Sequence, residues 1–297
     1  MKDSSPRFAA IEAGGTKFVV AVGSSVEQAH RTTFQTTNPD ETMRQVVDFI
    51  SGHGPVDGIG VAAFGPLNVD KTDAQYGVVG RTPKAGWSNF SYLQALSCFG
   101  VPIAIDSDVN AAALAEAAHN PDTSLARTLY ITVGTGIGVG VVDGGHILNG
   151  TGHPEMGHMA VPQHSDDPLS EGCCPFHAEC VEGLASGPSV LKRWGSDLSS
   201  LPDGHLAHQI EAFYLACLCV NLIVSYRPHV IFLGGGVAQT PGLRTLVAAE
   251  THRLLGGYLP ELDSVPAVNS LIRTPQLAPD SGIAGAFLLA GSVVPSN

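Results

Sequence analysis

The stretch from Glu155 to Glu182 gathers side chains able to hold a metal. Cys174, His177 and Cys180 follow one another at intervals of three, and His158 lies upstream, so four N/S ligands are available. That is the number a closed tetrahedral Zn²⁺ site takes. The adjacent thiols Cys173 and Cys174 are interchangeable on sequence grounds. The alternative is a cluster of packed thiols beside a stray histidine. A zinc with its ligand set closed would be structural, pinning the loop that carries Glu182 near Glu155 and His158. Cys98, Cys217 and Cys219 are expected in the core, the last two on an apolar helix.

Asp108 is the candidate base. Val101–Ile105 reads as a strand and Asn110–Ala118 as a helix, which puts Asp108 near a strand-to-helix junction. One reading makes Asp106, Ser107 or Asp108 the N-cap of that helix. The other adds that the helix dipole favours a charged carboxylate, able to accept a hydroxyl proton.

Three glycine turns bear on what else is bound: Gly14-Gly15-Thr16-Lys17, Gly134-Thr135-Gly136-Ile137-Gly138 and Gly234-Gly235-Gly236. Backbone N–H groups unobstructed by Cβ can converge on phosphate oxygens. Gly15-Thr16-Lys17 lacks the Gly-Lys-Ser/Thr order of a P-loop. Val139 stands where the dinucleotide fingerprint needs its third glycine. Each turn alone is explained by hairpin geometry. Together, two of them with a threonine at the same place, they suit a nucleotide whose phosphates lie between two lobes.

The elements that must position these groups alternate. Phe8–Glu12 and Lys17–Gly23 read as strands around one glycine turn, Leu129–Val133 and Val139–Val142 as strands around another. Gly58–Phe64, ending at Gly65-Pro66, and His229–Leu233, ending at Gly234, read as buried strands. Helical periodicity marks Asp40–Ser51, Gln209–Tyr226 and Gly282–Val294, and Gly195–Gly204 reads as a surface loop. The class is α/β, and the repeated hairpins suggest duplicated lobes sharing a cleft. The first lobe is expected over 1–120 with 282–297, the second over 121–281 with the zinc loop.

The chain of 297 residues has 15 Lys+Arg against 27 Asp+Glu, a formal charge of −12, which disfavours general nucleic-acid or membrane-surface binding. Any phosphate must be held locally. Thr128–Val142, Ala212–Tyr226 and Ser281–Asn297 fall short of the roughly 18 residues of a spanning helix and are expected in the core. The start, Met1–Arg7, lacks a charged-then-apolar signal sequence, so a cytoplasmic protein with reduced thiols is expected.

Glu12-Ala-Gly-Gly-Thr-Lys17, Asp108-Val-Asn-Ala111, Gly134-Thr-Gly-Ile-Gly138, His153-Pro-Glu-Met-Gly-His158 and Leu233-Gly-Gly-Gly236 resemble, in order, the motifs of the ROK sugar kinases. Thr82-Pro83-Lys84-Ala85-Gly86-Trp87 and the segment Gly172–Cys180 are similar to its fructokinase branch. The resemblance implies a two-lobed actin-like ATPase (ribonuclease H-like) fold with duplicated mixed-sheet lobes, and a homodimer. It implies ATP and Mg²⁺ at the glycine turns, with Glu12 where many relatives carry Asp. It makes Asp108 the base, Glu155 and Glu182 carboxylates that accept hydrogen bonds from neighbouring sugar hydroxyls, and His158 a zinc ligand that also faces the sugar. Gly65 and Pro66 form a backbone edge against the sugar. Ser107 stands where many relatives have a sugar-binding asparagine. Lys84 and Trp87 either cover the site or, for Trp87, pack in the core.

The expected reaction is transfer of the ATP γ-phosphoryl group to a hexose, fructose first, with a mannokinase or broad-specificity hexokinase as the alternative. A sugar-responsive transcription regulator is a second class, disfavoured by the negative charge and the ten residues before Ile11. A chaperone-like ATPase would leave the zinc motif unexplained.

Overall fold

The apolar runs on either side of Gly14-Gly15-Thr16 form a hairpin of β1 (Phe8–Ala13) and β2 (Lys17–Gly23), extended by β3 (His30–Gln35). On the other side of β1 lie β4 (Gly58–Ala63) and β5 (Ile103–Ser107), both parallel, giving the order β3-β2-β1-β4-β5. The computed structural model describes residues 5–120 and 126–294; the outer limits of the expected first lobe, 1–4 and 295–297, lie outside them. Helix α1 (Pro39–Gly52) starts where Asn38 accepts the Glu41 N–H at 2.9 Å and proline takes the first helical position. After α2 (Tyr92–Leu96), β5 runs without a loop into α3 (Asp108–His119).

The second sheet repeats the first. Its strands are β6 (Thr128–Val133), β7 (Ile137–Asp143), β8 (His146–Ile147), β9 (Val230–Gly234) and β10 (Ile272–Arg273). Their order is β8-β7-β6-β9-β10, which is the first order with every label raised by five; β6 pairs antiparallel with β7 and parallel with β9. The hairpin repetition seen in the sequence is therefore a repetition of whole-sheet topology. Between β8 and β9 come α4 (Val181–Ala185), α5 (Gly187–Trp194) and α6 (Leu206–Tyr226); α7 (Leu243–Leu255) and α8 (Val265–Leu271) follow, and α9 (Ser281–Ser292) closes the described chain.

Two compact units result. One comprises the described residues up to His119, His146–Pro154 and Leu277 onward; the other comprises the described residues from Asn120 to Gly145 and Glu155–Gln276. His146–Pro154, assigned to the second lobe on sequence grounds, thus belongs with the first unit, where Asn149 bonds Asp106 and Asn110. In that unit α9 lies against α3 so closely that a Cβ on Gly285 would sit 2.0 Å from the Ala111 carbonyl oxygen. Glu116, fully buried on α3, accepts the Leu277 N–H and the Ser281 hydroxyl, tying the same two helices together.

Helix α6, with 21 residues, is long and apolar enough to cross a membrane; it is longer than the uncharged run that starts at Ala212, because it runs back past buried Glu211 to Leu206, where His205 Nδ1 accepts the Ala207 N–H. Most of it is buried inside the second unit, with Cys217 and Cys219 in the core as expected. Cys98 departs from that expectation: it is exposed in a 3-10 turn after α2. Trp87 is fully buried among Phe18, Phe64, Phe90 and Tyr92, and its indole N–H donates to the Thr37 carbonyl, so core packing accounts for it rather than a cover over a site. The expected loop Gly195–Gly204 contains a single 3-10 turn anchored by buried Leu198.

Candidate active site

In the first unit, the strand that ends at Ser107 delivers Asp108 to the first turn of α3. Of the three residues able to cap that helix, Ser107 does so: its hydroxyl oxygen accepts the Asn110 N–H at 3.2 Å. Asp108 Oδ1 accepts the Val109 N–H at 2.8 Å. Asp106 faces inward, where its carboxylate accepts from the Ser107 N–H, the Asn110 amide and the Asn149 amide; burial pushes its pKa up while these bonds pull it down. Asp106 therefore braces the junction. From sequence Asp106 is one of three cap candidates; its bracing role has no local signature, because its amide partner Asn149 lies 43 residues away.

Glu12, at the end of β1, has its carboxyl raised to about 7, first by burial and then by the charges of Asp108 and Asp280, against the pull of Lys17 and Arg31. A carboxyl so placed ionises readily when a cation arrives, which fits the chemistry expected of a Mg²⁺ contact. After Glu12, Gly14 donates its N–H to Lys17 O at 3.0 Å and its own carbonyl accepts the Thr36 hydroxyl, leaving Gly15, Thr16 and Lys17 exposed at the tip. Gly65 and Pro66 follow β4 and are exposed; the Pro66 carbonyl accepts the Gly80 N–H at 2.8 Å. His153 Nδ1 lies 3.2 Å from Ser107 Oγ, and burial lowers its pKa to about 4.

In the second unit, the glycine turn between β6 and β7 is closed by the Gly134 N–H donating to Gly136 O, while the Gly134 carbonyl accepts the Gly187 N–H; Thr135 is exposed. Glu182, in the first turn of α4, accepts the Ile137 N–H through Oε2 at 2.9 Å. Gly136 must lack a side chain there, since a Cβ would sit 2.6 Å from that oxygen. Glu182 Oε1 is 3.8 Å from His158 Nε2. Glu155 precedes the 3-10 turn that carries His158; surrounding protein and the Glu182 charge push its carboxyl up, against the pull of His158. At the end of β9, Gly235 has a positive φ of 92° and exposed Gly236 follows, while Gly234 is buried. Gly138 lies within β7.

The cysteine-histidine group converges. The ligand atoms of His158, Cys174, His177 and Cys180 all lie within 4.8 Å of one another. Cys174 Sγ is 3.7 Å from Nδ1 of both His158 and His177, and Cys180 Sγ is 3.6 Å from His158 Nδ1. Zn–S of about 2.3 Å and Zn–N of about 2.0–2.1 Å at a tetrahedral angle give an S···N edge of roughly 3.6 Å. The donor set and its spacing thus fit a tetrahedral soft-metal site. Cys174, not Cys173, supplies the converging thiol; Cys173 uses its N–H to bond the Gly183 carbonyl. His158 presents Nδ1 to both thiols, while its Nε2 stands beside Glu182 at a distance longer than a hydrogen bond.

Two mixed sheets of identical strand order, each with a glycine hairpin between its first two strands, define the actin-like ATPase fold. The chain belongs to the ROK family, whose family model matches residues 8–293. It is 41% identical over 283 residues to the fructokinase of Pediococcus pentosaceus, covering 95% of this chain and 96% of that one. It is 38% identical over 299 residues to the fructokinase of Zymomonas mobilis, covering 98% of each. Among solved structures, a ROK hexokinase from Thermus thermophilus is similar with a TM-score of 0.75 and 24% identity, covering 96% of this chain and 98% of that one. A ROK family glucokinase from Streptomyces griseus in complex with glucose and AMPPNP is similar with a TM-score of 0.74 and 21% identity, over 96% and 99%.

Proposed function

We propose that the protein is an ATP-dependent hexose kinase that converts fructose to fructose 6-phosphate. The observation that carries this reading is Asp108, held in the first turn of α3 by a junction whose cap is supplied by Ser107 and whose brace is Asp106. The full-length likeness to fructokinases supports the choice of sugar.

Asp108 accepts the proton of the C6 hydroxyl. The sugar oxygen attacks the γ-phosphorus, the bond from that phosphorus to the β–γ bridging oxygen breaks, and ADP leaves. Phosphoryl transfer passes through a loose transition state, so the protein chiefly aligns the partners and neutralises charge. The turns at Gly14–Lys17, Gly134–Gly138 and Gly234–Gly236 take the nucleotide. Glu12 would hold Mg²⁺, which supplies charge neutralisation at the phosphates. Glu155 and Glu182 receive sugar hydroxyls, and Gly65-Pro66 lines the sugar. His158, Cys174, His177 and Cys180 would hold a structural Zn²⁺ that fixes the loop leading to Glu182. Exposed Lys17 offers a positive charge beside the first turn. A cytoplasmic homodimer belongs to the same reading, and analytical ultracentrifugation tests the dimer.

Coupled ADP release measured over fructose, mannose, glucose, N-acetylglucosamine and N-acetylmannosamine tests the proposal. Mg²⁺-dependent turnover greatest with fructose is expected, and no turnover with any of them refutes it.

A further inference from the structure

Ser107 and His153 form a pair whose hydrogen-bonding roles can be assigned. Ser107 is 2% exposed, and its oxygen accepts the Asn110 N–H while lying 3.2 Å from His153 Nδ1. A hydroxyl carries one proton and seeks an acceptor for it when buried. Among the described residues, His153 Nδ1 is the acceptor available. The relay therefore runs from the Asn110 N–H to Ser107 Oγ and from the Ser107 O–H to Nδ1, which leaves the ring proton on Nε2. Burial depresses the imidazole to about pH 4, so near neutrality this ring is an uncharged, one-proton donor. Nε2 takes no partner among the described residues and is not fully closed off from solvent. The donor sits beside the residue that immediately precedes Asp108.

We propose that His153 is a specificity residue that donates its Nε2–H to an oxygen of the hexose, with Ser107 acting behind it as the residue that fixes its tautomer. The Ser107 hydroxyl is committed to the helix cap and to His153, so the free donor at this junction is His153 Nε2. The inference rests on the hexose-kinase reading above.

Glutamine and asparagine separate a substrate contact from a packing role. The amide nitrogen of His153→Gln overlays Nε2, whereas that of His153→Asn overlays Nδ1 and reaches only toward Ser107. Steady-state kinetics with MgATP and fructose, mannose or glucose are measured for wild type, His153→Ala, His153→Gln and His153→Asn. The expected result is a drop of about tenfold in kcat/KM for fructose relative to mannose with Ala and with Asn, the worth of one neutral hydrogen bond, and retention within about threefold with Gln. Gln no better than Asn, or all three variants within threefold of wild type, overturns the proposal. ¹⁵N NMR of the wild-type imidazoles at pH 7 tests it without variants: the Nε2–H tautomer is expected at His153, and an Nδ1–H tautomer or an imidazolium overturns it. Wild type that turns over no hexose defeats the kinase reading itself. Active wild type with an unchanged sugar ratio in the variants defeats this inference alone.

Discussion

Glu182 accepts the Ile137 N–H at 2.9 Å while its other oxygen lies 3.8 Å from His158 Nε2, so one carboxylate holds the glycine turn of β6–β7 and stands beside the cysteine-histidine cluster. Glu182→Ala is predicted to lower fructose kcat/KM by about 10–100-fold, the worth of a hydrogen bond to a charged group, and to change metal retention less. Glu182→Gln keeps an oxygen for Ile137 and should fall between Ala and wild type. Metal content after dialysis and steady-state kinetics check both.

The choice between adjacent thiols makes a sharp comparison. Cys174→Ser is predicted to reduce bound zinc to well under about half an equivalent and to lower the melting temperature, while Cys173→Ser retains metal, since only the Cys174 sulfur joins the convergent set. Elemental analysis of protein purified without chelator decides it.

The raised carboxyl of Glu12 sets a pH dependence. Its pKa is about 7 in the folded protein against 4.5 for an unperturbed glutamate, so between those values the folded state binds more protons than the unfolded one. Its contribution to stability is therefore full below pH 4.5 and is lost as pH rises through 7, at no more than about 1.4 kcal/mol per unit. Without added Mg²⁺, the melting temperature of Glu12→Gln relative to wild type should rise steadily from pH 5 to about pH 8. Thermal denaturation across that range measures it, and Mg²⁺ with nucleotide should shrink the difference.

Away from the site, Arg193 and Asp167 form an ion pair at 2.7 Å with side chains 1% and 0% exposed, and the Tyr214 hydroxyl donates to the same carboxylate. Arg193→Met alone is predicted to cost about 3–5 kcal/mol, because it strands a buried charge. The double variant Arg193→Met, Asp167→Leu should recover part of that loss. Urea denaturation of the two proteins gives the comparison.

Much of this was legible before any coordinates. Glycine turns between apolar runs marked both hairpins, since the turn conformation and the burial pattern point the same way. Strand β3 was not legible: its residues alternate between exposed and half-buried, and Phe34 is its one large apolar side chain. Helix α7 starts at Leu243, and Gly242 at its cap position has no side chain to close it, so it lacks the usual start signal. β5 ends and α3 begins two residues away from the expected limits because Ser107 is both the last strand residue and the cap. The four ligands were visible in their spacing, whereas the decision for Cys174 depends on how the chain turns at Cys173. The pairing of Ser107 with His153 spans 46 residues and has no local signature.

The most direct test of phosphoryl transfer with Asp108 as base is the turnover of Asp108→Asn with fructose and MgATP, measured beside fructose affinity by calorimetry. A fall in kcat of about 10²–10⁴-fold with affinity kept within a few-fold is predicted. A kcat within about threefold of wild type would contradict it.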